Sequence, residues 1–300
     1  MPSSSPLRLL GLLATLSPAS ALAAGLGLAY QLTHSVNADP TFSPDGKRLI
    51  FVAVVEDKEQ LFVMDADGKN QKQLTREPYN HEDPAWSPDG KKVAFVSDKD
   101  DLEVIYLMNP DGTGLEPLTR PSARVIHPDW SPDGTKIAYC TDDDIQPPKK
   151  NTSDIEVIDV KTRQVTRLIT GGTNTYPVWS PDGKWIAFRR MLGEMNSEVF
   201  VARADGTEQK NLTNHQAFDG WPAWSPDGKR IAFASNRYSS YQIFVMNADG
   251  SQVQLVANTE GRATAPKWSR DGKSIYFPLS RKVDYGSDCQ IFVAPVPPLR

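Results

Sequence analysis

The sequence predicts an all-β fold: a six-bladed β-propeller of four-stranded antiparallel blades, closed by an N-terminal strand (residues 28–33) in the last blade. Three observations predict it. A tetrapeptide recurs at the spacing of one blade, the runs between its copies have the length and composition of short strands, and the strand missing from the last copy lies at the start of the chain. Ser-Pro-Asp-Gly begins at Ser43, Ser87, Ser131, Ser180 and Ser225, and Ser-Arg-Asp-Gly begins at Ser269. The intervals are 44, 44, 49, 45 and 44 residues. Six units of that length, each holding four strands, form the pattern of a propeller.

Each unit reads in the same order. The first strand carries a proline three residues before the serine (Pro40, Pro84, Pro128, Pro177, Pro222, Pro266) and ends on an aromatic residue (Phe42, Trp86, Trp130, Trp179, Trp224, Trp268). Ser-Pro-Asp-Gly then suits a type I turn, with serine first, proline second and glycine fourth. A second strand follows, as in Val93-Ala94-Phe95, and a third, as in Ile243-Phe244-Val245-Met246, rich in the side chains that favour sheets. A second turn, such as Asp65-Ala66-Asp67-Gly68, leads to an outer strand closing on Leu-Thr at Leu74-Thr75, Leu118-Thr119 and Leu212-Thr213. The sixth unit ends after its third strand, Ile291-Phe292-Val293, without a Leu-Thr strand. Leu28-Ala29-Tyr30-Gln31-Leu32-Thr33 supplies one, so both ends of the chain are expected in one sheet.

Composition narrows the function. Residues 1–23 read as a secretory signal peptide: one charge at Arg8, an apolar core over Leu9–Leu16, and a small-x-small site at Ala21-Leu22-Ala23. An uncleaved anchor is the alternative. Residues 24–300 then form the propeller, periplasmic or secreted and expected to be monomeric without stable membrane insertion. A net charge of -4 from 33 basic and 37 acidic residues excludes nucleic acid as a partner. Two cysteines, Cys140 and Cys289, exclude a disulfide framework. They fall in blades three and six, on opposite sides of the ring, so both thiols are expected free.

The repeated Pro-x-Trp-Ser-Pro-Asp-Gly and Val-Met-Asn-Ala-Asp-Gly resemble the propeller repeats of the TolB family of the bacterial cell envelope. The resemblance covers residues 28–300. It implies a periplasmic interaction module whose partner is an envelope protein or peptide. It also implies an α/β domain before the propeller, for which residues 1–27 leave no room. The same repeat type occurs in tricorn-like and peptidase propellers and in oligogalacturonate lyases. No Gly-x-Ser-x-Gly elbow supports the peptidase reading.

Most conspicuous residues are structural by this reading. Five of seven tryptophans share one repeat position and belong between blades. The Asp-x-Asp-Gly stretches lack the glycine and glutamate spacing of a calcium loop and are turns. Asp142-Asp143-Asp144 with Lys149-Lys150 is the excess of the third unit, a solvated loop.

Function belongs where the repeat varies. The residue before each proline is Asp39, Asp83, His127, Tyr176, Trp221 and Ala265, an acidic and imidazole half facing an aromatic half. These residues, placed in the connections running to the channel mouth, are the candidate ligand-binding set together with His81 and Asp219; Glu82 and Asn174 lie nearby. All four histidines, His34, His81, His127 and His215, fall in those connections. Two functions compete. One is a non-catalytic binding module that recognises a peptide or glycan by stacking on Tyr176 and Trp221 and by hydrogen bonds to Asp39, Asp83 and Asp219, with no cofactor. The other is a carbohydrate (polyuronate) lyase or hydrolase. In it His81 or His127 acts as base, Arg124 or Arg262 neutralises the uronate, and a divalent cation sits on His34, His81 and His127.

Overall fold

The computed structural model describes residues 29–33, 37–120, 124–141, 152–194, 196–281 and 288–298. The expected signal peptide over residues 1–23, Leu28, His34 and the Asp142–Lys150 stretch lie outside the described residues. Every regular element among them is a strand, and none is a helix long and apolar enough to cross a membrane. Six antiparallel sheets follow one another along the chain.

Blade 1 is Asn37–Phe42, Arg48–Val55, Lys58–Asp65 and Lys72–Gln73. Blade 2 is His81–Trp86, Val93–Ser97, Val104–Met108 and Glu116–Pro117. Blade 3 is Val125–Trp130, Lys136–Thr141, Ile155–Asp159 and Val165–Ile169. Blade 4 is Asn174–Trp179, Trp185–Gly193, Asn196–Arg203 and Lys210–Asn211. Blade 5 is Asp219–Trp224, Arg230–Tyr238, Ser240–Asn247 and Gln254–Leu255. Blade 6 splits its first strand into Arg262–Ala263 and Lys267–Trp268, continues through Ser274–Ser280 and Gln290–Pro295, and ends on Tyr30–Gln31.

The turns fold as their residues dictate. In blade 1 the Gly46 N–H donates to the Ser43 carbonyl at 2.8 Å, and the Ser43 hydroxyl donates to Asp45 Oδ1 at 2.6 Å. The Lys47 N–H donates to the same carboxylate and the Arg48 N–H to Ser43 Oγ, so each polar residue of the tetrapeptide closes a ring of local bonds. The Leu-Thr pair works differently. Leu74 N–H donates to the Leu61 carbonyl, while Thr75 Oγ1 accepts the Leu61 N–H at 2.9 Å. Thr119 and Thr213 accept from Ile105 and Val199 in the same way. In blade 6 the pair is Leu32-Thr33: the Leu32 N–H donates to the Ile291 carbonyl at 2.7 Å and Thr33 Oγ1 accepts the Ile291 N–H at 3.0 Å. Tyr30 registers with Val293 and Gln31 with Phe292, so the N-terminal strand closes the ring as expected.

The core lies between blades. Successive residues of a strand face opposite sides, and here both sides are covered. Val93 and Phe95 pack on Ile50, Leu61 and Leu74 of blade 1, whereas Ala94 joins Trp130, Ile137 and Tyr139 of blade 3. Trp86, Trp130 and Trp268 are buried in these seams, and Trp179 and Trp224 are half-buried against them. Cys140 and Cys289 are buried and free.

Candidate functional site

Five of the six residues before the prolines lie inside the innermost strands, not in the connections leading to them, and Ala265 lies in the break between the two halves of the first strand of blade 6. Each adopts positive φ: 48° at Asp39, 50° at Asp83, 57° at His127, 55° at Tyr176, 52° at Trp221 and 42° at Ala265. The pairing register of blades 1 to 5 slips at this point, as between Glu82 and Ala85. This is a β-bulge, and it places two consecutive residues, such as Glu82 and Asp83, on the channel side. Asp39, Asp83, His127, Tyr176, Trp221 and Ala265 thereby line both a throat of about 70 Å³ and a chamber of about 480 Å³ above it.

Carboxylates form one wall of the chamber. Asp39 and Asp83 are joined by Glu82 and by Glu59, which comes from the third strand of blade 1. Burial pushes Asp39 up to about 7, and repulsion from Asp83 adds to the shift against the pull of Lys267. Burial pushes Glu82 up to about 9, helped by the charges of Asp83, Glu59 and Asp39, and its carboxyl hydrogen-bonds Glu59. Glu59 is raised by burial and by Asp39. Asp83 rises by burial to about 6, although the His127 N–H donates to its Oδ2 at 2.9 Å. One position past the prolines, Asp129 and Lys267 line the throat. Asp129 Oδ2 accepts the Trp179 N–H at 2.7 Å, and burial raises its carboxyl to about 6. Asp83 and Asp129 therefore each tie their own blade to the first strand of the next.

Rings form the opposite wall. His127 stacks on Tyr176 with centroids 3.7 Å apart, and Tyr176 lies 5.4 Å from Trp221. Phe218 and Tyr241 continue the cluster at 6.1 and 5.5 Å from Trp221. The Arg189 guanidinium sits 4.7 Å from the Tyr176 ring and 5.6 Å from Trp221, anchored by its Nε to Thr175 Oγ1 at 2.9 Å. Gly220 makes room for that arrangement, since a Cβ there would stand 2.8 Å from Arg189 Cδ. Burial, then Arg189 and Lys267, holds the His127 imidazole well below its ordinary pKa. Its Nδ1 lies 3.2 Å from the Cys140 sulfur and its Nε2 3.7 Å from Asp83 Oδ2. His127 is thus a neutral ring at neutral pH.

Two other candidates lie elsewhere. His81 is fully buried inside blade 2, edge-on to Phe95 at 5.5 Å, with Nε2 3.3 Å from Glu77. Asp219 is fully buried in blade 5 and paired with Arg237 at 2.9 Å. Both stand two residues before the pre-proline position, and the intervening bulge turns them into the blade seams. Asn174, at the same repeat position, is buried likewise. His215 is exposed. Arg124 and Arg262 border the chamber, Arg124 in a two-pronged pair with Glu103 and Arg262 with its guanidinium 4.7 Å from the Tyr241 ring. Among the described residues no three His, Cys, Asp or Glu side chains converge as a metal site. The sequence reading missed Glu59, Asp129, Lys267, Arg189, Phe218 and Tyr241. Asp129 and Lys267 were within reach, because they follow His127 and Ala265 by two residues and share the channel side.

The TolB beta propeller domain model matches residues 28–144 and 103–286. The chain belongs to the TolB beta-propeller family. A putative TolB from Agrobacterium tumefaciens superposes with a TM-score of 0.67 at 22% identity, covering 90% of this chain and 97% of that one. TolB from Acinetobacter baumannii gives 0.66 at 21%, covering 92% and 67%. An oligogalacturonate lyase solved in complex with manganese gives 0.60 at 15%, covering 90% and 93%. At these identities the structures share the propeller fold with this family member, and the fold spans binding proteins and enzymes alike. No curated protein sequence matches the chain significantly.

Proposed function

We propose that this protein is a non-catalytic binding module of the cell envelope, periplasmic or secreted, that grips a peptide segment or a glycan in the channel chamber. The observation that carries the reading is the split lining: carboxylates on one wall, Tyr176 and Trp221 on the other, around a cavity of about 480 Å³. Pockets of that size with a few convergent polar groups suit a ligand having both polar edges and an apolar face. Kinship with the TolB propellers supports an envelope protein as the source of the ligand. The lyase alternative fits less well. A polyuronate carries a carboxylate on every sugar, which Asp39, Asp83 and Glu59 repel, and Arg124 is already committed to Glu103.

The test is Trp221→Ala, titrated calorimetrically against a panel of envelope peptides and glycans. Any ligand of the chamber loses about 1–3 kcal/mol of binding, the range of a central aromatic contact. His127→Ala, assayed on polygalacturonate beside the wild type, covers the alternative. Turnover by the wild type that vanishes in the variant overturns the binding reading.

A further inference from the structure

The chamber and the throat together select among ligands. Three features bear on the choice. First, the throat offers only about 70 Å³ against about 480 Å³ in the chamber, room for a slender group beside Asp39 and Asp83. Second, negative charge there exceeds what the protein supplies to balance it. Asp39, Asp83 and Asp129 line the throat against Lys267, and Glu59 stands above them. Third, the far wall is built of aromatic rings, and Arg189 already stacks on Tyr176 and Trp221, blunting their pull on a second cation. Those rings suit a methylene stem better than a charged head.

Resting on the binding-module reading above, we infer that the ligand is a peptide segment anchored by one basic side chain, its stem against Tyr176 and Trp221 and its cationic head in the throat between Asp39 and Asp83. Lysine and arginine have this build, an aliphatic stem that lies along apolar surface with a charge at its tip. An amino sugar does not, because its ammonium is attached directly to a hydroxyl-bearing ring with no aliphatic stem. Lys267, which also lines the throat, repels the head and leaves the ligand's charge to the two pre-proline aspartates.

The experiment uses the whole protein and capped tripeptides of the form Gly-X-Gly, with X lysine, arginine, leucine or glutamate, and a glucosamine trimer. Binding is read by titration calorimetry and by the chemical shifts of the Trp221 indole. The lysine and arginine peptides bind at least about tenfold tighter than the leucine and glutamate peptides, and a tenfold rise in ionic strength erases most of that preference. Asp39→Asn and Asp83→Asn remove the charge at nearly constant shape, and the side-chain oxygen that Asp83→Asn retains can still accept the His127 N–H. Each lowers affinity for the lysine peptide about tenfold and leaves the leucine peptide unchanged. Equal binding of lysine and leucine peptides, or a glucosamine trimer binding as tightly as the lysine peptide, overturns the inference. If Trp221→Ala still weakens those ligands, the binding-module reading stands without it. If the wild type binds nothing in the panel or in the wider screen, both fall.

Discussion

Asp39, Tyr176 and Ala265 have nothing in common chemically, yet all hold φ between 42° and 55°. Such values are uncommon for any residue but glycine, and the following proline restricts the backbone further. Because the conformation recurs in all six blades, the bulge belongs to the architecture, and only the side chain it presents is free to vary. That is why the channel lining was legible in the sequence: packing positions repeat, and this one does not. The partners of the lining were not legible. Glu59 and Arg189 arrive from third and second strands, at positions no local pattern marks. Their effect is measurable as a pH dependence. The native carboxyls of Asp39, Asp83, Asp129 and Glu82 titrate at about 7, 6, 6 and 9, above the unfolded values of 3.8 and 4.5. The folded state therefore holds protons that the unfolded chain has released. Their contribution is fully present below about pH 4 and is lost as pH rises through about 6 to 9. Burial holds the His127 and His81 imidazoles below their ordinary pKa, so they act in the opposite sense. Their penalty is relieved as pH rises through the unfolded value of 6.5, and above that the slope belongs to the carboxyls. Tm should fall between about pH 7 and pH 9, where Asp39 and Glu82 lose their protons, and Asp39→Asn with Glu82→Gln should flatten the decline. A wild-type Tm that holds level over that range would remove the electrostatic account.

At the scale of the element, the strands and turns were readable because their causes are local. Ser-Pro-Asp-Gly satisfies its own hydrogen bonds, and Leu-Thr caps the third strand of its own blade. The faces of the first strands were harder to read. Counting back from the proline puts His81 and Asp219 beside the channel, and the bulge reverses the alternation, burying both. The two turns of a blade also differ in a way spacing does not reveal. Gly228, in a Ser-Pro-Asp-Gly turn, has φ +68°, and a Cβ there would meet Pro181 at an ordinary 3.7 Å. Gly250, in the Asn-Ala-Asp-Gly turn of the same blade, has φ +92°, and its Cβ would stand 2.6 Å from the Leu212 carbonyl of the preceding blade. Gly228→Ala incurs only the left-handed strain, about 1–2 kcal/mol. Gly250→Ala adds a clash with backbone across the blade seam, for a total of about 3 kcal/mol or more. Chemical denaturation of the two variants should order them that way. Equal losses would mean that blades slide past each other easily enough to relieve the contact.

Over the whole molecule, five blades are built from consecutive residues and the sixth is not. Its outer strand is contributed from some 260 residues away in sequence, through Tyr30, Gln31 and the Leu32-Thr33 pair. Without it the third strand of blade 6 presents unpaired backbone to solvent, and the ring loses the hydrogen bonds that make its two ends one sheet. Thr33 does for Ile291 what Thr75 does for Leu61, so Thr33→Val and Thr75→Val should each cost about 1–3 kcal/mol, the penalty for orphaning a buried N–H. Removal of residues 1–33 is the stronger perturbation. It should lower Tm well beyond either point change and promote self-association through the exposed edge, seen by light scattering. A peptide spanning Leu28 to Thr33, added in trans, should recover part of the lost Tm in proportion to its concentration, because it binds only the folded ring. A truncated chain that melts like the full one, with no response to the peptide, would show that blade-to-blade packing closes the propeller without the strand.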